Sequence, residues 1–172
     1  MSLRLAFFIY IQIISTAVYS QKVEILDQRP PIYSEISDLN YITISGNSIS
    51  SKDLKNSVIV INIWFVGCKG CKQEEPYLRQ IVNQFQNNEN FRFVSFCMST
   101  EKRIAKYYSK YGDFGYETVS TTRDVIKEKF NIISSPSHLI IKDGVLVAKY
   151  IGPITSSGGG LNWFISQLNN LR

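Results

Sequence analysis

The run Val58-Ile59-Val60-Ile61-Asn62-Ile63-Trp64-Phe65 constrains this chain more than any other. It is an almost unbroken β-branched and aromatic stretch, and only a central strand covered on both faces can use it. Asn62 is its one interruption. Gly67 ends it, and Cys68 and Cys71 follow at once. Leu78, Ile81, Val82 and Phe85 then recur at helical spacing, which predicts a helix from about Cys68 to Gln86.

The other segments arrange themselves around this unit. Tyr41–Ile44 and the Gly46-Asn47 turn predict a small hairpin leading into the domain. Phe91–Cys97 reads as a second strand. Ser99 or Thr100 can cap a helix that contains Ile104, Tyr107 and Tyr108. A further helix is expected near Arg123–Phe130, with Asp124 in its first turn. His138–Ile141 and Val145–Ala148 flank Asp143-Gly144, a two-residue hairpin signal. Ser156–Gly160 is a flexible loop, and Leu161, Phe164, Ile165, Leu168 and Leu171 form the stripe of a closing helix. The order is strand, helix, strand, helix, helix, hairpin, helix. Parallel crossovers in the first half and an antiparallel second half predict an α/β fold: a mixed sheet with helices on both faces. With 44% hydrophobic and 13% aromatic residues among 172, the core is amply supplied.

The first twenty residues have a different character. Arg4 is their only charge, Leu5–Val18 is apolar apart from Gln12, Ser15 and Thr16, and Val18-Tyr19-Ser20 resembles a signal-peptidase site. Residues 1–20 are therefore expected to be a signal peptide cut after Ser20, with an uncleaved anchor as the alternative. No cysteine follows to carry a lipid. Residues 21–40, with Pro30-Pro31 and no clear period, read as a linker or loosely attached arm, and 41–172 as the domain. The expected location is outside the cytoplasm, in the periplasm or cell envelope, without stable membrane insertion after cleavage. The net charge of +5 is spread along the chain, with Lys102-Arg103 and Lys127/Lys129 beside acids, so no nucleic-acid partner is expected.

Three cysteines are too few for a disulfide-stapled miniprotein; Cys68 and Cys71, with two residues between them, read as a redox pair, and Cys97, far along the chain, as a leftover thiol. A thiolate where a buried strand turns into a helix faces unpaired N–H groups and the positive end of the helix dipole. Thiols in such settings titrate at about 3.5–7.5, against about 8.5 for a free one. Cys68 is expected to attack and Cys71, one turn further in, to resolve the mixed disulfide. A structural disulfide or half a metal site are the plainer alternatives. Zinc usually shows a second Cys-x-x-Cys or paired histidines, whereas His138 is the only histidine. No metal or cofactor is expected.

The stretch Trp64-Phe65-Val66-Gly67-Cys68-Lys69-Gly70-Cys71, then Glu74 and Pro76, with Ser134-Ser135-Pro136-Ser137 further on, resembles the thioredoxin superfamily. In particular it is similar to the TlpA/ResA-type thiol–disulfide oxidoreductases of bacterial envelopes, over roughly residues 41–172. The resemblance implies a thioredoxin-like sheet, a redox-active Cys68–Cys71 disulfide, and a cis-proline at Pro136. It implies that the backbone of Ser135 binds an extended substrate, and that a glutamate at position 74 lies near the pair. It also implies protein thiols or disulfides as substrates, a membrane electron donor, and reduction as the favoured direction. Pro76, which costs about 3 kcal/mol inside a helix, fits the family's kinked helix. Two departures stand out: Gly67 replaces a common tryptophan and Gly70 a usual proline, leaving the redox potential open.

Several residues also have plain structural readings. Asn62 stands six residues before Cys68, where many thioredoxins bury an aspartate; as an amide it cannot be a base, and a hydrogen-bonded core residue is the simple reading. Cys97 reads as a buried, inert thiol. His138 reads as a packed or surface histidine. Glu74 is either the acid–base partner of Cys71 or a surface residue, and Glu75, about 100° around the helix, reads as solvated. Helix packing accounts for most of the tyrosines between 107 and 116. Competing functions are a copper(I) module using Cys68, Cys71 and His138, and an interaction domain without catalysis. A peroxidase ranks lower, because no Pro-x-x-x-Thr-x-x-Cys segment is present.

Overall fold

A computed structural model describes residues 31–36 and 38–172. The expected signal segment, its cleavage point and residues 21–30 lie outside the described residues.

A two-stranded hairpin of β1 (Tyr41–Ile42) and β2 (Ser48–Ile49) leads, through a 3-10 turn at Ser51–Leu54, into β3 (Val58–Trp64). Then come α1 (Lys69–Phe85), β4 (Phe91–Cys97), α2 (Glu101–Tyr111), β5 (Glu117–Ser120) and α3 (Arg123–Phe130). β6 (Ser137–Lys142), β7 (Val145–Ile151) and α4 (Gly160–Asn169) complete the chain. The five-stranded sheet has the order β5-β4-β3-β6-β7. β3, β4 and β5 run parallel, while β6 is antiparallel to both β3 and β7. β3 is central and buried along its whole length, as its composition demands.

β5 is absent from the sequence reading, which passes straight from one helix to the next. Four residues with half-exposed ends carry too little alternation to register as a strand. The β6–β7 turn is as expected: Asp143 and Gly144 both take positive φ, 51° and 82°, which the two-residue turn requires.

Alternation along β3 divides the core. Val58, Val60 and Trp64 face one layer with Leu78, Ile81 and Phe85 of α1 and Phe164 and Leu168 of α4. Ile59, Ile61 and Ile63 face the other, with Ile126 and Phe130 of α3. Asn62 thus points toward α1. Directly opposite it in the antiparallel register stands His138 of β6, so the two share that face.

The stretch read as a linker or loose arm is, in its described part, attached to the domain. Tyr33 N–H donates to Leu146 O at 2.7 Å, Ile36 N–H to Gly144 O at 2.7 Å, and Leu146 N–H returns to Ser34 O at 3.0 Å. Ile36 and Leu39 are buried in the second layer. Further on, Ile44 N–H donates to Thr118 O of β5 at 2.8 Å. Arg92 ties the hairpin region down, meeting Asp53 at 3.0 Å, Glu117 at 2.7 Å and Ser48 O at 2.8 Å.

Candidate active site

The cysteine pair sits where β3 has just ended. Gly67 adopts φ 103°, a backbone that side chains resist, and this turns the chain from strand to helix. The glycine that departs from the family's tryptophan therefore carries the turn itself. The loop is fastened by Val66 N–H to Ser99 Oγ at 3.0 Å and by Arg103 Nη2 to Val66 O at 3.0 Å.

Cys68 is the N-cap of α1, and its sulfur accepts the Cys71 backbone N–H at 3.1 Å. An unpaired helix donor is thereby aimed at the Cys68 sulfur, and a thiolate there would also face the positive end of the helix dipole. Cys68 and Cys71 are joined as a disulfide with Cα atoms 5.3 Å apart. Their exposure is 8% and 5%, so the expected contrast between an open first and a shielded second cysteine is small in this oxidised form. The Ser135–Pro136 bond is cis, and the Pro136 ring packs against the pair's connecting residue, Gly70. The Pro136 carbonyl is taken by Gly152 N–H at 2.9 Å. The Ser135 hydroxyl is buried without a hydrogen-bond partner among the described residues.

Glu74 is fully buried, on the same face of α1 as Cys71 and one turn along. Its Oε1 accepts from Asn62 Nδ2 at 3.1 Å. Its Oε2 meets His138 Nε2 at 3.0 Å and the Ile154 N–H at 3.0 Å. Asn62 Nδ2 also lies 3.4 Å from His138 Nδ1. Asn62 and Glu74 are joined, and His138, read as an unremarkable histidine, completes a buried polar triad. Spacing along the chain could not find it, because His138 reaches the site through the β3–β6 register. Tyr116 is buried nearby; burial, reinforced by the charge of Glu74, pushes its phenol up.

Glu75 is buried as well, contrary to expectation. It accepts from the Tyr107 hydroxyl and pairs with Lys72 at 2.8 Å. Tyr107 of α2, which packs on Trp64, explains this by bringing its hydroxyl onto the carboxylate. Burial, then the bond to Glu75, pushes the Tyr107 hydroxyl up. Cys97 is fully buried, and burial pushes its thiol up to about 12.

Among the described residues no three His, Cys, Asp or Glu side chains are grouped to hold a metal. Both ring nitrogens of His138 face Asn62 and Glu74, so the proposed copper set of Cys68, Cys71 and His138 is not assembled. No helix among the described residues is long and apolar enough to cross a membrane.

Comparison with known proteins gives the same architecture. A family model described as the AhpC/TSA family matches residues 32–149. The chain is 25% identical over 121 residues to the thioredoxin-like protein YneN of Bacillus subtilis, covering 69% of this chain and 70% of that one. It is 26% identical over 113 residues to the thiol-disulfide oxidoreductase ResA of Bacillus cereus, covering 65% of each. It therefore spans about two thirds of the length of these relatives. Among solved structures, the thioredoxin domain of a thiol-disulfide oxidoreductase from Bacteroides vulgatus superposes with a TM-score of 0.65 at 24% identity, over 81% of this chain and 98% of that one. StoA from Bacillus subtilis gives 0.60 at 18% identity, over 75% and 97%. The fold is thioredoxin-like.

Proposed function

Since the chain belongs to the AhpC/TSA family and its Cys68–Cys71 pair is a thiol–disulfide exchange centre, we propose that it works as a reductase of protein disulfides outside the cytoplasm. The observation that carries this reading is the Cys71 N–H aimed at the Cys68 sulfur at the start of α1. In the dithiol form that donor stabilises a Cys68 thiolate, the species that attacks disulfides.

The Cys68 thiolate attacks a substrate disulfide, forms a mixed disulfide and releases one substrate thiolate. Cys71 loses its proton and attacks the Cys68 sulfur, releasing the second thiolate. Two electrons pass to the substrate; one proton comes from Cys71 and one from water, leaving two substrate thiols and the Cys68–Cys71 disulfide. Glu74 is the group that takes the Cys71 proton, a role its burial one turn from that sulfur supports. The edge at Ser135 and Pro136 receives an extended substrate segment.

The apolar first twenty residues support export to the periplasm or cell envelope, with a mature chain beginning at Gln21. There a membrane electron donor returns the pair to dithiol. The domain comprises 41–172, with residues 31–36 and 38–40 docked on it.

Insulin reduction driven by a small dithiol tests the activity, and oxidative refolding of a reduced substrate tests the direction. The wild type should accelerate insulin reduction well above Cys68→Ser and outpace its own effect on refolding. No difference between wild type and Cys68→Ser would overturn the enzyme, and a faster oxidation would reverse the direction.

A further inference from the structure

Asn62 and His138, two buried polar side chains in contact with Glu74, take no part in the exchange steps above. They stand opposite each other on β3 and β6, and Glu74 descends onto both from α1. The donor inventory fixes how this triad is protonated. Asn62 has two amide protons. One goes to Glu74 Oε1, and the other faces His138 Nδ1. An Nδ1 facing a donor must be the acceptor, so the ring proton sits on Nε2 and points at Glu74 Oε2. The carboxylate then receives three N–H groups: from Asn62, from His138 and from the Ile154 backbone. That set suits an ionised carboxylate, and an imidazole held by its second nitrogen cannot rotate away.

We propose that His138 is a positioning residue of the exchange reaction: with Asn62 it holds Glu74 ionised and oriented to take the proton of Cys71. The inference rests on Glu74 acting as that acceptor and adds what keeps it competent. The balance of the step is unchanged. The Cys71 S–H bond breaks, its proton goes to Glu74, and its electron pair forms the bond to Cys68 sulfur. In the resting network Glu74 has no room for that proton on Oε1 unless Asn62 gives way. The Asn62 Oδ1 is buried and has no hydrogen-bond partner among the described residues. Around this centre, α1 contributes Cys71 and Glu74, β7 the ring of Tyr150, α4 the ring of Phe164, and the approach to β5 the phenol of Tyr116. Among the described residues, Glu74 is the only carboxylate hydrogen-bonded to His138.

The test is the pH dependence of the resolving step, followed by rapid mixing from a preformed mixed disulfide with a small thiol. Wild type, Glu74→Gln, His138→Phe and His138→Gln are compared. Glu74→Gln should flatten the acid limb. His138→Phe removes the N–H and should move that limb to higher pH, slowing resolution about tenfold on the acid side and little on the alkaline side. His138→Gln keeps an N–H donor and should restore most of the rate. A flattened limb in Glu74→Gln with an unmoved limb in His138→Phe overturns the role of His138 and spares that of Glu74. An unflattened limb in Glu74→Gln removes Glu74 as acceptor and this inference with it. A uniform slowing by His138→Phe at every pH marks a structural role and also overturns it. The ring-nitrogen resonances of wild-type His138 require no variant: they should show the Nε2–H form and follow pH differently in dithiol and disulfide protein. Identical behaviour in both redox states overturns the proposal.

Discussion

A Cβ placed on Gly70 would stand 3.2 Å from Cδ of Pro136, closer than side chains normally pack. The residue between the two cysteines and the proline beside them are thus fitted to each other. Pro136 has little freedom to retreat, since its carbonyl is bonded to Gly152 and Pro153 lies 3.8 Å from the same point.

Gly70→Ala should therefore separate stability from activity. Alanine in a first helical turn gains about 0.5–1 kcal/mol over glycine, and the new contact offsets part of it. The melting temperature should change little. Insulin reduction should fall several-fold as the Pro136 ring is displaced from the pair, and a rate equal to wild type would show that the ring is free to move.

Cys68→Ser and Cys71→Ser should behave unlike each other. A serine at 68 still caps α1 through the Cys71 N–H, so the protein folds but forms no mixed disulfide. Cys71→Ser keeps the attacking sulfur and should accumulate covalent adducts with protein substrates, visible on non-reducing gels. Adducts with Cys68→Ser instead would reverse the two roles.

Glu75 should matter to the fold more than to the chemistry. Its carboxylate is held by Tyr107 and Lys72. Glu75→Ala leaves the Tyr107 hydroxyl without that acceptor and should cost about 1–3 kcal/mol in urea unfolding, with the pH profile of exchange unchanged.

Cys97 should resist alkylation in the folded dithiol protein at about pH 8, where Cys68 reacts first. Burial pushes its thiol from the usual 9.0 up to about 12, so the folded state keeps its proton longer than the unfolded one. Stability is thus unaffected below 9.0 and falls as pH rises from there toward about 12. Mass spectrometry of the labelled protein, native against urea-unfolded, checks the first point, and unfolding curves across that window check the second.

The Leu39 side chain, fully buried beneath the sheet, is expected to anchor the N-terminal stretch. Leu39→Ala should cost about 2–5 kcal/mol, a loss a loosely attached arm would never show.

What the sequence made legible was local. The buried strand, the helix carrying Pro76, the Asp143-Gly144 turn and the capping cysteine each declare themselves within a few neighbouring residues. The parts it hid depend on register and on distant partners. His138 meets Glu74 only because β6 pairs with β3 so that position 138 faces position 62. Glu75 is buried because Tyr107 reaches it from another helix. β5 is held by β4 and by Ile44 rather than by any pattern of its own. Residues 31–36 and 38–40 are held by backbone hydrogen bonds, the Asp38–Lys129 pair and the buried Ile36 and Leu39, too sparse a signal to distinguish them from a linker.

Those same residues have a consequence for how the molecule meets its neighbours. An open sheet offers unsatisfied main-chain groups along its first and last strands, and other chains can pair with them. Here the protein's own leading stretch pairs with β7 through Tyr33, Ser34 and Ile36, and with β5 through Ile44. Both margins are engaged from within, at those positions, by residues that precede β3. A concentrated solution of the protein then lacks, at those positions, the exposed ladder from which edge-to-edge aggregates grow.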